Sequence, residues 1–234
     1  MRKTRDAFTM LELVMIIVVV GILAAVMIPR LNNEKTALTN AAKQIVSHIR
    51  YTQHLAMNDD KINTSDSDWF KKRWTLVFNK NAKTGNTWAY TIYSESVTLN
   101  PSKVDLIEVA KNPLDPSRYL TGGFDNTANM NYTSNSFLGT KELNIGDKYG
   151  ITDVNLSASC KVTTSRRFSF DHLGRPLKGD LAGYETPYYD VNTSSGRLIT
   201  NSCNITISNG SCSTNIIIEP ETGYVHLSNA LNCI

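Results

Sequence analysis

Residues 13 to 28 read LVMIIVVVGILAAVMI, sixteen positions of which fifteen are apolar and one is Gly21. A run of that length without a charge has to be covered, by lipid, by the rest of its own chain or by another molecule. A single helix from Phe8 to Ile28 would measure about 32 Å at ~1.5 Å per residue, enough to cross a hydrocarbon core. The seven residues in front, MRKTRDA, hold Arg2, Lys3 and Arg5 against Asp6. By the positive-inside rule that leader stays on the cytoplasmic side. The expected division is therefore 1–7 leader, 8–29 transmembrane segment, 30–57 amphipathic helix and 58–234 globular domain. It places a single-pass protein in an inner membrane, with its C-terminal domain in the periplasm. No small-residue cleavage site of ordinary signal-peptide type follows the run, which ends Met27-Ile28-Pro29-Arg30.

The rest of the composition bounds the domain. Of 234 residues, 41% are hydrophobic and 19% charged, enough apolar matter for a core and too much for wholesale disorder. A net charge of +3 is too mild to argue for a nucleic-acid protein on charge alone. Beyond the leader the chain is nearly neutral and rich in Asn, Ser and Thr, which suits an exported β-domain. Cys160, Cys203, Cys212 and Cys233 include no Cys-x-x-Cys pair, so disulfides are favoured over a metal site. Three connectivities are open. Asn209-Gly210 can close a hairpin between Cys203 and Cys212, which favours 203–212 and leaves 160–233.

One residue inside the apolar run carries the functional argument. Glu12 stands four positions after Phe8, and a carboxylate near hydrocarbon is costly and normally paired. Nothing basic lies within a helical turn on its C-terminal side. A cut between Ala7 and Phe8 would create an α-amine able to meet Glu12 of the same chain or of a neighbour. Such a pair specifies register between packed helices more than it adds stability. The basic leader, then Ala7-Phe8-Thr9-Met10-Leu11-Glu12-Leu13, the apolar run and Pro29, resembles the class III signal of type IV pilins and type II secretion pseudopilins. The resemblance implies cleavage before Phe8 by a prepilin peptidase and N-methylation of the new amine. It implies assembly with other subunits through Glu12, with Gly21 and Pro29 as the points where the helix could bend or locally unwind on assembly, on an inner-membrane platform. Two positions depart from the pattern: Ala7 where Gly is usual, and Met10-Leu11 where Leu-Ile is commoner.

Pro29 can end a helix or kink it. Leu38, Ala42, Ile45, Ile49 and Ala56 recur at helical spacing beyond it, with Lys43, Gln44 and Gln53 expected on the other faces. The helix therefore continues to about Met57. From Trp69 on the period becomes two: Trp74, Leu76 and Phe78, then Trp88, Tyr90 and Ile92, form a hairpin. Residues 94–142 are broken by Pro101, Pro113, Pro116 and Gly122-Gly123 and are expected to be a loop-rich insertion with one or two short strands. Strands are expected at 151–162, 167–171, 202–208, 215–219 and 224–228. Arg167-Phe168-Ser169-Phe170-Asp171-His172-Leu173-Gly174-Arg175-Pro176, and Ile216-Ile217-Ile218 followed by Pro220-Glu221-Thr222-Gly223-Tyr224-Val225, resemble the GspH/FimT family of minor pseudopilins. The expected fold is α+β and pilin-like: a long N-terminal helix, transmembrane in its first half, packed on an antiparallel β-sheet.

No catalytic set emerges. Ser169, Asp171 and His172 lack a nucleophile elbow. His48 and His54, six apart, do not share a helix face. Thr121-Gly122-Gly123 lacks the Lys of a phosphate loop. Asp59-Asp60 and Asp66-Ser67-Asp68 read as solvated caps rather than a metal loop. Neither a cofactor nor an enzymatic activity is expected. Lys71, Lys72, Arg73, Arg166 and Arg167, interleaved with Trp69, Phe70, Trp74 and Phe168, could contact a nucleic-acid strand; the alternative is a strand edge protected by charge. Six Asn-x-Ser/Thr triplets occur, and two of them, at Asn155 and Asn192, have an acid two residues earlier, as bacterial N-glycosylation requires. By resemblance the function is that of a minor pilin or pseudopilin, a structural subunit of a periplasmic type II secretion pseudopilus. The alternative is a minor pilin of a type IV pilus or competence system that binds DNA for uptake.

Overall fold

The structure, a computed structural model, describes residues 10–95, 104–125, 127–180, 186–190 and 195–233, with backbone only at 24–33, 189–190 and 195. One helix, α1 (Met10–Asn58), runs through Pro29 and stops at Asn58, whose side-chain amide donates to His54 O (2.7 Å). Leu38, Ala42, Ile45 and Ile49 are fully buried, and Ala56 nearly so. The 3.6-residue repeat has laid these side chains on one stripe, and that stripe is the centre of the core.

The strands sort into two four-stranded antiparallel sheets and a two-stranded ribbon. In the first sheet β1 (Trp74–Asn79) lies between β2 (Ala89–Ser94) and β4 (Arg167–Phe170), and β5 (Pro176–Lys178) completes the far side. Leu76 faces Ile92 on one side and Phe168 on the other. In the second sheet β3 (Asp153–Leu156) pairs with β8 (Cys203–Ser208), β8 with β9 (Cys212–Ile218), and β9 with β10 (Val225–Cys233). The ribbon is β6 (Tyr189–Asp190) with β7 (Ser195–Gly196). A five-residue helix, α2 (Ile145–Tyr149), precedes β3. Leu76, Phe78, Tyr90, Phe168 and Phe170 from the first sheet, Trp88 just before β2, and Val154, Ile205, Ile207, Ile216, Ile218 and Val225 from the second sheet meet the α1 stripe in one hydrophobic cluster.

The expected fold needs correction. Among the described residues no helix is long and apolar enough to cross a membrane. The described apolar stretch at 10–23 is ~21 Å long at ~1.5 Å per residue, against a hydrocarbon core of ~30 Å, and it carries Glu12. That finding overturns the transmembrane first half of the helix and with it the single-pass inner-membrane placement. The β-structure is also two sheets, not one. At the junction the outer edge of β3 meets side chains instead of another strand. Arg166 Nε donates to Val154 O (3.2 Å), and Trp88 Nε1 donates to Thr152 O just before β3 (2.9 Å).

The insertion contains no strand among its described residues. It crosses the β2 side of the first sheet through isolated bridges, Tyr93 with Val109 and Thr91 with Thr121, while its prolines and glycines prevent a longer ladder. Val104, Val109 and Met130 bury the second face of that sheet against Val77 and Tyr93. The strand expected at 151–162 ends at Leu156.

The cysteine pairing differs from expectation. The bonds are Cys160–Cys203 and Cys212–Cys233. The β8–β9 hairpin does form, with Gly210 at φ 92° in its turn. Its register, however, sets Cys203 opposite Ile218 and Ser208 opposite Ser213, so Cys203 and Cys212 lie at opposite ends of the ladder. Cys212 instead faces Cys233 on β10.

A polar chain ties α1 to the first sheet and to α2. Gln44 Nε2 donates to Tyr90 Oη (2.8 Å), His48 Nδ1 lies 2.6 Å from the same hydroxyl, and Tyr149 Oη donates to Gln44 Oε1 (2.7 Å). With Gln44 donating to Tyr90, the Tyr90 proton is free to go to a neutral His48. Burial holds the His48 imidazole down to about 4. Burial, followed by the nearby Asp180 and Glu108 charges, pushes Glu95 up to about 7.

Two outcomes follow. Peptide mapping without reduction yields 160–203 and 212–233 linkages. Removing the first bond costs about 4 kcal/mol and the second about 3 kcal/mol in the loop-entropy picture, read by urea unfolding. As pH falls from 6.5 towards about 4, the unfolded chain protonates His48 while the folded one does not, so stability is lost on the acid side. Glu95 acts with the opposite sign, its contribution fading as pH rises through about 7. A His48→Gln comparison isolates the first effect: between pH 6.5 and 5 the parent protein loses roughly 1–2 kcal/mol more than the variant. Parallel curves refute the buried neutral imidazole.

Candidate assembly surface

Every residue from 10 to 23 is exposed, and these include Met10, Leu11, Met15, Ile17 and Leu23. Glu12, Met15, Ile16, Val19 and Val20 line one groove along this end of α1. Their spacing is that of a single helical face, so Glu12 begins an otherwise apolar seam. Among the described residues, a Cβ on Gly21 would meet nothing within 4 Å, so no described contact requires a glycine there. Pro29 lies within α1, and its side chain is outside the described residues, as are Ala7 and Phe8. A continuous apolar seam on a projecting helix is the kind of surface that a monomer does not leave open. The domain meets the helix by Glu34, whose carbonyl accepts from Asn209 Nδ2 in the β8–β9 turn (3.1 Å).

At the other end of α1, two turns are clamped together. Gln53 Nε2 donates both to Gly174 O (2.8 Å) and to Thr222 O (2.9 Å). Arg50 Nη2 donates to Val225 O (2.6 Å), and its guanidinium lies over the Tyr224 ring. Phe168 and Phe170 point inward, edge to face with centroids 6.0 Å apart. Gly223 sits at φ 62°, and a Cβ there would come within 2.3 Å of Gly174 O. Only glycine fits that close approach in a left-handed conformation.

The Ser169, Asp171 and His172 side chains share no hydrogen bond with one another among the described residues, and Ser169 Oγ and His172 Nδ1 are buried without a partner there. Asp171 is fully buried. Its Oδ1 accepts from the Leu173 and Arg175 amides, and its Oδ2 accepts from Arg175 Nε (2.8 Å). The carboxylate holds a turn. Among the described residues no group of three His, Cys, Asp or Glu is arranged to hold a metal ion.

The five cations considered for nucleic-acid contact are distributed and already engaged. Lys71 pairs with Asp68 (2.8 Å) and Lys72 with Asp66 (2.6 Å). Arg73 is buried, donates to Pro187 O (2.7 Å) and lies over the Trp69 and Tyr188 rings. Arg166 lies over Trp88, and Arg167 pairs with Asp180 (2.8 Å) and donates to Tyr93 Oη. Asp66 and Asp59 are therefore ion-pair and hydrogen-bond partners rather than purely solvated caps, since Asp59 also accepts from Trp74 Nε1 (2.9 Å). Asn155 is exposed on β3; Asn192 lies outside the described residues.

Sequence reasoning put Gln44 and Gln53 on the helix's outer faces, yet both bond inward. The signal was present for Gln53: it lies four residues after Ile49 and three before Ala56, on the apolar stripe itself. Comparison with protein-family models, characterised proteins and solved structures finds no match to the chain.

The clamp gives a graded expectation. Gln53→Ala removes two hydrogen bonds to carbonyls and lowers unfolding free energy by about 1–2 kcal/mol. Gly223→Ala forces the turns apart and costs about 2 kcal/mol or more. Denaturant unfolding checks both, and equal small effects would contradict the close approach.

Proposed function

We propose that the protein is a structural subunit of a pseudopilin-type filament that supports protein export, not an enzyme. The observation that carries this reading is the seam at 12–20: an exposed apolar helical face with a carboxylate at its start, projecting from a domain whose own core is closed. The same face on a neighbouring copy is a fitting cover, since apolar seams at this spacing pack helix on helix. Glu12 then sets the register, because a buried carboxylate is tolerated where an opposing charge meets it. In this reading a prepilin peptidase cuts between Ala7 and Phe8, and the Phe8 amine supplies that charge. The two disulfides fit assembly in an oxidising compartment. The DNA-binding alternative has less support, because the five cations it would use are committed within the domain.

The test is made in the native host. Sheared filaments should contain the chain beginning at Phe8 with a methylated amine. Glu12→Ala should lower its incorporation at least ~10-fold, the loss of one charge-assisted contact. Retention of Met1 in the mature chain, or unchanged incorporation of the Glu12→Ala protein, overturns the reading.

A further inference from the structure

We propose that Asn155 is the acceptor of an N-linked oligosaccharide, attached while the segment from Asp153 to Cys160 is still open. Six Asn-x-Ser/Thr triplets are present, and the folded domain separates those that it describes. Asn63 and Asn131 use their side-chain oxygens to close local turns on Ser65 and Thr133. Asn209 is bonded at both ends, accepting from Cys212 N and donating to Glu34 O. Asn204 is exposed, but Ser202 stands two residues before it. Asn155 alone among the described acceptors combines an acid at that position, Asp153, with a carboxamide that has no hydrogen-bond partner among the described residues. Because strand side chains alternate, Asp153 and Asn155 project from the same face, and both are exposed. A transferase that requires the acid can meet both at once.

The surroundings favour a neutral, hydrated covering. β3 is the outer strand of its sheet, and side chains guard only part of its edge, Arg166 at Val154 O. Beside Asn155 stands Thr206, which donates to Asn215 (2.7 Å). No Lys or Arg occurs anywhere in β3, β8, β9 or β10. Apart from that Arg166 contact, the strands themselves therefore carry none of the cations that commonly discourage edge-to-edge pairing. A glycan at Asn155 supplies bulk and hydration in their place.

Timing follows from the hydroxyl of the triplet. Ser157 Oγ accepts from Asn204 N (3.0 Å) and lies 2.7 Å from Ser159 Oγ. Cys160, three residues on, is bonded to Cys203. Once that loop closes, the hydroxyl that the transferase must read is held against β8. The donor is a polyprenyl-diphosphate-linked oligosaccharide. Asn155 Nδ2 forms the bond to the anomeric carbon as the bond from that carbon to the diphosphate oxygen breaks. Polyprenyl diphosphate leaves, and an amide proton passes to a base of the oligosaccharyltransferase.

Full-length protein from the native host is reduced and digested with trypsin, and the peptide 149–161 is analysed by mass spectrometry. A glycan mass on Asn155 is the expected result, and its occupancy should fall at least ~10-fold in Asp153→Ala, which removes one charge-assisted contact with the transferase. In a purified reaction with a single-subunit bacterial oligosaccharyltransferase and lipid-linked oligosaccharide, the reduced, unfolded chain should be modified roughly 10-fold faster than the oxidised, folded chain, since the closed loop opens only through local unfolding. Recovery of only the bare peptide from the host overturns the site. Equal rates for the folded and unfolded chains overturn the timing.

Discussion

Everything in this domain is arranged around the burial of the α1 stripe from Leu38 to Ala56. Two sheets that share no ladder bond with each other are joined because both place their apolar faces on that one helix. At ~25 cal/mol per Å² of apolar surface removed from water, four fully buried aliphatic or small side chains on a single helix face are a substantial part of a marginal stability. The insertion depends on the same arrangement at one remove. It covers the face of the first sheet that the helix leaves open, so Val77 and Tyr93 are buried although they point away from α1.

Polar contacts then give this burial a unique register. A greasy stripe alone can slide along a sheet by a turn. Gln44 and His48 meeting one tyrosine hydroxyl, and Gln53 bridging two turns, cannot be satisfied in a shifted register. Each is a group whose burial costs free energy unless its partner is present. The disulfides act at the ends of this framework. Cys160–Cys203 fixes the approach to β8 beside the β3 segment, and Cys212–Cys233 holds the end of β10 to the start of β9, where the β9–β10 ladder has already shifted at a bulge.

Legibility in the sequence tracked how local the determining interaction is. The helix stripe, the β1–β2 hairpin and the turn at Asn209-Gly210 are set by neighbours along the chain, so periodicity and turn chemistry reveal them. The cysteine pairing depended on ladder register between three strands, and a plausible short loop was a poor guide to it. The division into two sheets depended on Trp88 and Arg166 reaching across to backbone carbonyls, which no local pattern encodes. The inward glutamines differ: Gln53 lies on the apolar stripe, where position and not residue type indicates its direction, whereas Gln44 lies off the stripe and reaches Tyr90 and Tyr149 through contacts that no local pattern encodes.

The commitment of charge inside the domain also narrows where another molecule can act. Arg73 lies among aromatic rings with its guanidinium donating to a backbone carbonyl, and Lys71, Lys72 and Arg167 each face a carboxylate. Releasing any of them to a ligand means leaving an acid or a carbonyl behind, a penalty comparable to the attraction that the ligand would supply. The apolar side chains of the helix at 10–23 carry no such penalty. Its apolar side chains already face solvent, so covering them requires no bond to be broken, and each Å² buried against a partner is favourable. Among the described residues, the cations of the sheets are engaged within the domain while the apolar side chains at 10–23 face solvent, so association through that helix, as proposed, asks less of the fold than association through the sheets.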